Sequence, residues 1–83
     1  MGMNFITFRS VTPAQRGQRI LLQAGIDCSL QRTPRWMEER GCGYCLRLRQ
    51  ADTQRAVMLL RQEKLPFSKV YGGNEGHVEE WML

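Results

Sequence analysis

Hydrophobic and polar residues change their period along the chain in a way that predicts strands alternating with helices. Residues 4–9 are rich in phenylalanine and isoleucine, and residues 26–31 alternate strictly between apolar and polar positions. Residues 44–49 alternate in the same way, and residues 67–71 form a further short apolar segment. Four strands are therefore predicted.

Two stretches between these strands repeat their apolar residues at helical spacing. The first is predicted to begin at Thr12 as its N-cap, with Pro13 at the first helical position and Gln15 as capping-box partner. Gly25 is expected to end this first helix in a left-handed backbone conformation. Asp52 is the predicted N-cap of the second helix. The predicted buried stripes are Ala14, Gly17, Leu21 and Ala24 in the first helix, and Ala56, Leu59 and Leu60, bordered by Val57, in the second.

The order β-α-β-loop-β-α-β predicts an α+β domain with the ferredoxin-like split βαβ arrangement. Right-handed crossovers then place both helices on one face of a four-stranded antiparallel sheet. The strand residues expected to face the helices are Ile6, Phe8, Cys28, Leu30, Leu46, Leu48 and Val70. Those expected on the opposite face are Thr7, Cys45, Arg47, Arg49, Lys69 and Tyr71. That second face is predicted to be open, polar and basic.

Length and composition predict one small soluble domain over residues 1–83. Residues 1–2 look like an expression remnant, and residues 72–83, with three glycines and three glutamates, are expected to form a C-terminal tail. No apolar run approaches the roughly 20 residues that span a bilayer, and the first residues lack a signal-peptide layout. Three cysteines are too few for a disulfide framework, so the expected compartment is the cytoplasm.

Arginine dominates the positive charge, because ten of the twelve basic residues are arginines in a chain of net charge +4. The planar guanidinium group of arginine binds carboxylates and oxyanions well, which favours an acidic partner or anionic ligand. A basic surface that is simply solvated explains the same composition. Trp36, Trp81, Met37 and Met82 are candidates for a protein contact, and a homodimer is left open. Nucleic acid is disfavoured, because the central strands lack the stacking motif of RNA-binding sheets.

Residues 41–45, Gly-Cys-Gly-Tyr-Cys, carry the strongest candidate for chemistry. Two thiols three positions apart suit disulfide exchange, a shared metal site, or a persulfide carrier, and a glycine turn with structural cysteines is the remaining alternative. Disulfide exchange needs a bend at Gly43, because residues three apart in a straight strand lie ~10 Å apart on opposite faces. A zinc site within one chain has too few ligands, so no metal and no cofactor are expected.

A carrier needs an exposed thiolate with nearby cations and room for a partner's sulfur. Cys42 has a glycine on each side, and Arg35 and Arg40 precede it in the sequence as cations able to stabilise an anion. His77 is the chain's one histidine and is expected in the tail, so a Cys-His hydrolase or transferase has little support.

Several segments together resemble a known family of small bacterial domains. They are Ile6-Thr7-Phe8-Arg9-Ser10, Gln23-Ala24-Gly25-Ile26, Thr33-Pro34-Arg35, Cys42-Gly43 and Leu46-Arg47-Leu48. In order and spacing the chain resembles the selenium/sulfur carrier protein-like family. The resemblance implies that Cys42 is the family's Cys-Gly cysteine, that Arg35 belongs to its Thr-Pro-Arg element, and that the domain carries sulfur or selenium.

The leading hypothesis is a non-enzymatic carrier that holds a persulfide or selenopersulfide on Cys42. Arg35 and Arg40 would favour its anion, Gly43 would allow close approach, and Cys45 would assist release by forming a disulfide. The expected partners are sulfur or selenium donor and acceptor proteins. The alternative is a non-catalytic protein-interaction or small-ligand-binding module that uses the open basic sheet face, with structural cysteines.

Overall fold

The computed structural model describes residues 2–33, 43–74 and 77–80. Its elements in chain order are β1 (Met3–Phe8), α1 (Val11–Gln23), β2 (Cys28–Arg32), β3 (Tyr44–Arg49), α2 (Thr53–Gln62), β4 (Val70–Asn74) and β5 (His77–Glu80). A single 3-10 turn, Gln50–Asp52, leads into α2. Within these residues the strands form one antiparallel sheet in the order β2-β3-β1-β4-β5.

The order β2-β3-β1-β4 with two helices confirms the α+β, ferredoxin-like prediction. Two features differ from the sequence-based expectation. Strand β4 begins at Val70 instead of position 67 and continues to Asn74. Residues 77–80, expected in a tail, pair with β4 as a fifth strand at the sheet edge. Neither helix in the described part of the chain is long and apolar enough to cross a membrane.

The core lies between the two helices and one face of the sheet. Its buried strand residues are Ile6, Phe8, Leu46, Leu48 and Val70, with Cys28 and Leu30 packed against them, as the alternation predicts. Helix α1 contributes Ala14, Gly17 and Leu21, also as predicted. In α2 the buried stripe contains Val57, whereas Leu59 is only half-buried, so these two residues exchange the places predicted for them.

Helix α1 starts earlier than its sequence signals predict. Its N-cap is Ser10, in extended conformation and without a side-chain capping bond, so Thr12 lies inside the first turn. The predicted end at Gly25 is confirmed, because Gly25 has a φ of 82°. Its N–H donates to the carbonyl of Leu22 (3.0 Å), and the next N–H, of Ile26, donates to Leu21 (2.9 Å), which is a Schellman motif. Ile26 therefore belongs to the helix cap, and β2 starts only at Cys28.

Helix α2 is bounded by polar contacts of its own. Asp52 is its N-cap, as predicted, but the carboxylate accepts a 3.2 Å hydrogen bond from Arg49 Nε instead of capping the helix. The Thr53 hydroxyl donates to the Arg49 carbonyl (3.2 Å). At the other end Lys64 has a φ of 56°, and the Leu65 N–H donates to the Leu60 carbonyl (2.9 Å). A lysine thus occupies a second Schellman position of the kind that favours glycine.

Gly72 accommodates a buried amide. Asn4 faces the core side of β1, opposite Leu48 on β3 and Gly72 on β4. A Cβ on Gly72 would lie 3.0 Å from the Asn4 Oδ1 and 3.2 Å from its Nδ2. Both amide atoms are buried without a hydrogen-bond partner in the described structure. The glycine is needed there because Asn4 fills the space that a side chain would take.

Candidate functional site

Cys45 lies on β3, on the sheet face opposite the helices. It stands directly across from Thr7 on β1 and from Gln31 on β2. The strand alternation therefore placed it on the correct face. The Cys45 side chain is nevertheless 0 % exposed and Thr7 is 2 % exposed, whereas Arg47 is exposed to solvent. The face is closed over Cys45 and Thr7, whereas its basic positions Arg47, Arg49 and Lys69 are open as predicted.

Two threonine hydroxyls lie at this closed part of the sheet. The Thr7 hydroxyl donates to the Lys69 carbonyl (3.2 Å) and accepts from the Lys69 N–H (3.0 Å), so it joins β1 to the residue before β4. The Thr33 Oγ1, in contrast, is buried without a hydrogen bond of regular geometry in the part of the chain that the structure describes. Its polar contact is with the thiol of Cys45.

Burial controls the protonation of both described thiols. It raises the pKa of Cys45, and the side chains of Thr33 and Gln31 oppose that rise only in part. Burial, followed by the negative charge of Asp27, also raises the pKa of Cys28. Both thiols are therefore protonated at neutral pH and are poor nucleophiles.

Cys28 and Cys45 lie on opposite faces of the sheet. The Cys28 thiol is on the helix side and points to the Gln18 carbonyl at 3.9 Å. Cys28 therefore packs against the core on the face that the strand alternation predicts for it. Among the described residues, no group of three or more histidine, cysteine or acidic side chains is arranged to hold a metal ion.

The residues that flank the segment 34–42 are held together by two contacts. The Thr33 N–H donates to the Gly43 carbonyl at 3.1 Å. One position further from the segment, the Arg32 guanidinium lies 5.9 Å from the centre of the Tyr44 ring, on the strand directly opposite. A cation–π contact of this kind contributes about 0.5–1 kcal/mol at an exposed site. The chain thus leaves and re-enters the sheet at one fixed place.

Of the five predicted site residues, the structure places two. Gly43 is half-buried just before β3, and Cys45 is the second residue of that strand. Cys42, Arg35 and Arg40 lie outside the described residues. The contact candidates Trp36, Met37, Trp81 and Met82 also lie outside them.

A family model with the description "Putative Se/S carrier protein-like" matches residues 3–72. The chain belongs to this Se/S carrier-like family. The match spans β1 through most of β4 and includes the Cys42-Gly43 pair, while β5 lies beyond it. No curated protein and no solved structure matches this Se/S carrier-like chain significantly.

Sequence reasoning missed the polar residues beside the Cys45 thiol. Gln31 belongs to a recognisable alternating strand, but nothing in the chain's own pattern says which β3 residue it opposes. Thr33 lies just after that strand and gives no signal of being buried. The Thr-Pro-Arg element was the available clue, since its threonine is the residue that contacts Cys45.

Proposed function

We propose that this protein carries sulfur or selenium as a persulfide or selenopersulfide on Cys42 and delivers it to a partner protein. The observation that carries the proposal is the family match, which includes Cys42 and the glycine after it. The proposed role is that of a carrier and not of an enzyme. The chemistry requires a reduced Cys42, which a reducing compartment such as the cytoplasm supplies.

The flanks of the segment 34–42 support this role. The hydrogen bond between Thr33 and Gly43 fixes where the chain re-enters the sheet, and Cys42 is the residue just before that fixed point. Gly43 has no side chain to obstruct a partner's sulfur that approaches Cys42. Arg35 and Arg40 are the cations proposed to favour the thiolate and the persulfide anion.

The transfer of sulfur to Cys42 and from Cys42 to an acceptor needs no external oxidant, because each step exchanges one S–S bond for another. The Cys42 thiolate attacks the outer sulfur of a donor persulfide, R–S–SH, so that a new S–S bond forms at Cys42. The donor's S–S bond breaks, and the donor leaves as the thiol R–SH after taking up a proton. In delivery an acceptor thiolate attacks the outer sulfur and Cys42 leaves as the thiolate. A selenium atom in the outer position follows the same course.

Cys45 provides a proposed second route of release. Its thiol, once deprotonated, attacks the inner sulfur of the Cys42 persulfide, forms a Cys42–Cys45 disulfide and expels sulfide. A thiol reductant must then return two electrons to the disulfide. The burial and raised pKa of Cys45 support this division of roles, because a protonated, enclosed thiol does not compete with Cys42 for the donor.

Intact mass spectrometry tests the proposal directly. The protein is incubated with a low-molecular-weight persulfide, or with selenide and a disulfide oxidant, and desalted under non-reducing conditions. We expect an adduct of roughly +32 Da for sulfur or +80 Da for selenium that Cys42→Ser abolishes and Cys45→Ser retains. An adduct of equal yield in Cys42→Ser, or none in the unmodified protein, contradicts the proposal.

A second candidate is a non-catalytic binding module in which the cysteines are structural. It is favoured by the burial of Cys45, by the raised pKa of both described cysteines and by the exposure of Arg47 on the face opposite the helices. The rate of Cys42 alkylation as a function of pH separates the two candidates. A Cys42 pKa near the ordinary value of ~8.5 favours the binding module, whereas a clearly depressed pKa favours the carrier.

A further inference from the structure

The two helices carry arginine as their only charged residue type. Helix α1 contains Arg16 and Arg19, helix α2 contains Arg55 and Arg61, and neither helix contains aspartate, glutamate or lysine. All four arginines are exposed. Helices that face solvent alone commonly mix both signs of charge, because opposite charges three or four positions apart stabilise them.

Among the residues that the structure describes, these arginines have no acidic partner. In the described part of the chain no ion pair joins any of them to an acidic residue, and the ion pair recorded there is Arg49 with Asp52 on the strand-to-helix turn. The described residues 2–33, 43–74 and 77–80 contain ten arginine and lysine residues against five acidic ones. The positive charge of the helices is therefore available to an external partner.

Both helices present their arginines to the same side of the molecule. Their buried stripes face the sheet, so their polar faces point outward together. The Arg55 Nη2 donates to the Ala24 carbonyl at the end of α1 (3.0 Å), which fixes the first turn of α2 beside the last turn of α1. We call the outward residues Arg16, Arg19, Leu22, Arg55, Met58 and Arg61 the helix-layer surface.

Apolar side chains lie among these arginines. Leu22 is 49 % exposed and Met58 is 64 % exposed, and they are the large exposed hydrophobic residues recorded for the described chain. A shallow groove along α1 is lined by Leu22, Arg19 and three glutamines. Arginine and methionine are both enriched in protein–protein interfaces, where an apolar centre is surrounded by polar groups.

We propose that the helix-layer surface docks an acidic surface of a partner protein, with carboxylates on the arginines and apolar side chains against Leu22 and Met58. The arginine fork binds a carboxylate with two parallel hydrogen bonds. A nucleic acid fits less well, because neither helix contains an aromatic residue on which bases could stack. A phosphate backbone also offers no apolar contact for the exposed side chains of Leu22 and Met58.

A synthetic peptide provides a defined probe of this surface. The peptide is a fluorescein-labelled helix of about 18 residues with glutamate and leucine interleaved along the same face, and binding is measured by fluorescence anisotropy. We expect saturable binding that weakens with salt and disappears when the glutamates are replaced by glutamine. Amide chemical shifts should change along α1 and α2 and not along β3.

Two double variants of equal charge locate the site. R16Q/R19Q removes two charges from the helix-layer surface, and R47Q/K69Q removes two exposed charges from outside it. We expect the first to weaken binding about five- to tenfold and the second less than about twofold, since each exposed ion pair contributes about 0.2–1 kcal/mol. Circular dichroism confirms that both variants fold, and Met58→Ser should weaken binding without changing the charge.

Three results would overturn the inference. Equal weakening by the two double variants would show a general charge effect. Absence of peptide binding would show that the helix-layer surface does not dock an acidic partner. Tighter binding of a single-stranded RNA 20-mer, with the same dependence on Arg16 and Arg19, would make the surface a nucleic-acid site. Because no step uses Cys42, the persulfide assay and this assay fail independently.

Discussion

The backbone N–H of Thr33 donates a 3.1 Å hydrogen bond to the carbonyl of Gly43, across a gap of ten residues in sequence. This bond continues the pairing of β2 and β3 by one more position and fixes the flanks of the segment that contains Cys42. We expect the Thr33 amide to exchange with deuterium as slowly as the amides within β2 and β3, because it is bonded in the same ladder. Exchange at the rate of an unstructured peptide would show that the flanks separate.

Thiol labelling should show that Cys45 is protected from reagents in the folded protein. Cys45 is fully buried, so iodoacetamide reaches it only after local opening. If that opening costs about 3 kcal/mol, alkylation of Cys45 is about 100-fold slower than that of an exposed thiol. Peptide mapping over time measures both rates, with the guanidinium-unfolded chain as the fully reactive control. A rate for Cys45 in the folded protein equal to its rate in the unfolded control contradicts the burial.

The raised pKa of Cys45 predicts that stability falls in alkaline solution. A thiol whose folded-state pKa is above its unfolded value stabilises the fold below the unfolded pKa, near pH 8.5, and loses that contribution as the pH rises through the folded value. The free energy of unfolding should therefore decrease above about pH 8.5, by at most about 1.4 kcal/mol per pH unit for this proton.

Cys45→Ala is the matched variant for this pH dependence, since it removes the titrating group and leaves Cys28 and the tyrosines in place. Urea unfolding at several pH values between about 7.5 and 10 gives the two stability curves. We expect the variant to show the shallower decrease. Parallel curves for the two proteins would mean that Cys45 titrates normally in the folded state.

Replacing Asn4 by leucine should stabilise the protein. The Asn4 amide is buried without a hydrogen-bond partner in the described structure, and such a group costs about 1–3 kcal/mol. Leucine has a similar shape, so Asn4→Leu should raise the free energy of unfolding by about 1–2 kcal/mol in chemical denaturation. The reverse test is Gly72→Ala, which we expect to destabilise because its Cβ would meet the amide at 3.0 Å. Destabilisation by Asn4→Leu would reveal a polar partner for the amide.

The two helix ends provide a paired test of left-handed backbone geometry. Lys64 has a φ of 56° and Gly25 a φ of 82°, each just past a helix. Lys64→Gly should stabilise the protein by about 0.5–1 kcal/mol, and Gly25→Ala should destabilise it by about 1 kcal/mol. No atom lies within 4 Å of a Cβ built on Gly25, so the second effect reports backbone strain alone. Thermal unfolding measures both, and effects of the same sign would contradict the assignment.

Local patterns predicted most of the fold correctly. The alternation of residues 44–49 placed Leu46 and Leu48 in the core and Arg47 outside, because successive side chains in a strand face opposite sides. The pattern failed at the start of α1 and at the glycines of β4. Thr12 is the predicted N-cap of α1, but the structure places the N-cap at the serine two residues earlier, Ser10. The glycines at positions 72 and 73 suggested a loose tail, whereas β1 pairs with both of them.

The sequence by itself determined the order of the first four strands and the two helices, the faces of the central strands and the family, because each depends on local periodicity or on residues read in order. Only the tertiary structure decided which residues meet across strands. It placed Thr33 and Gln31 beside Cys45, closed the sheet face over that thiol and raised its pKa. It also brought the arginines of two helices, about 40 residues apart in sequence, onto one surface. Contacts of this kind depend on register and packing, which no local pattern contains.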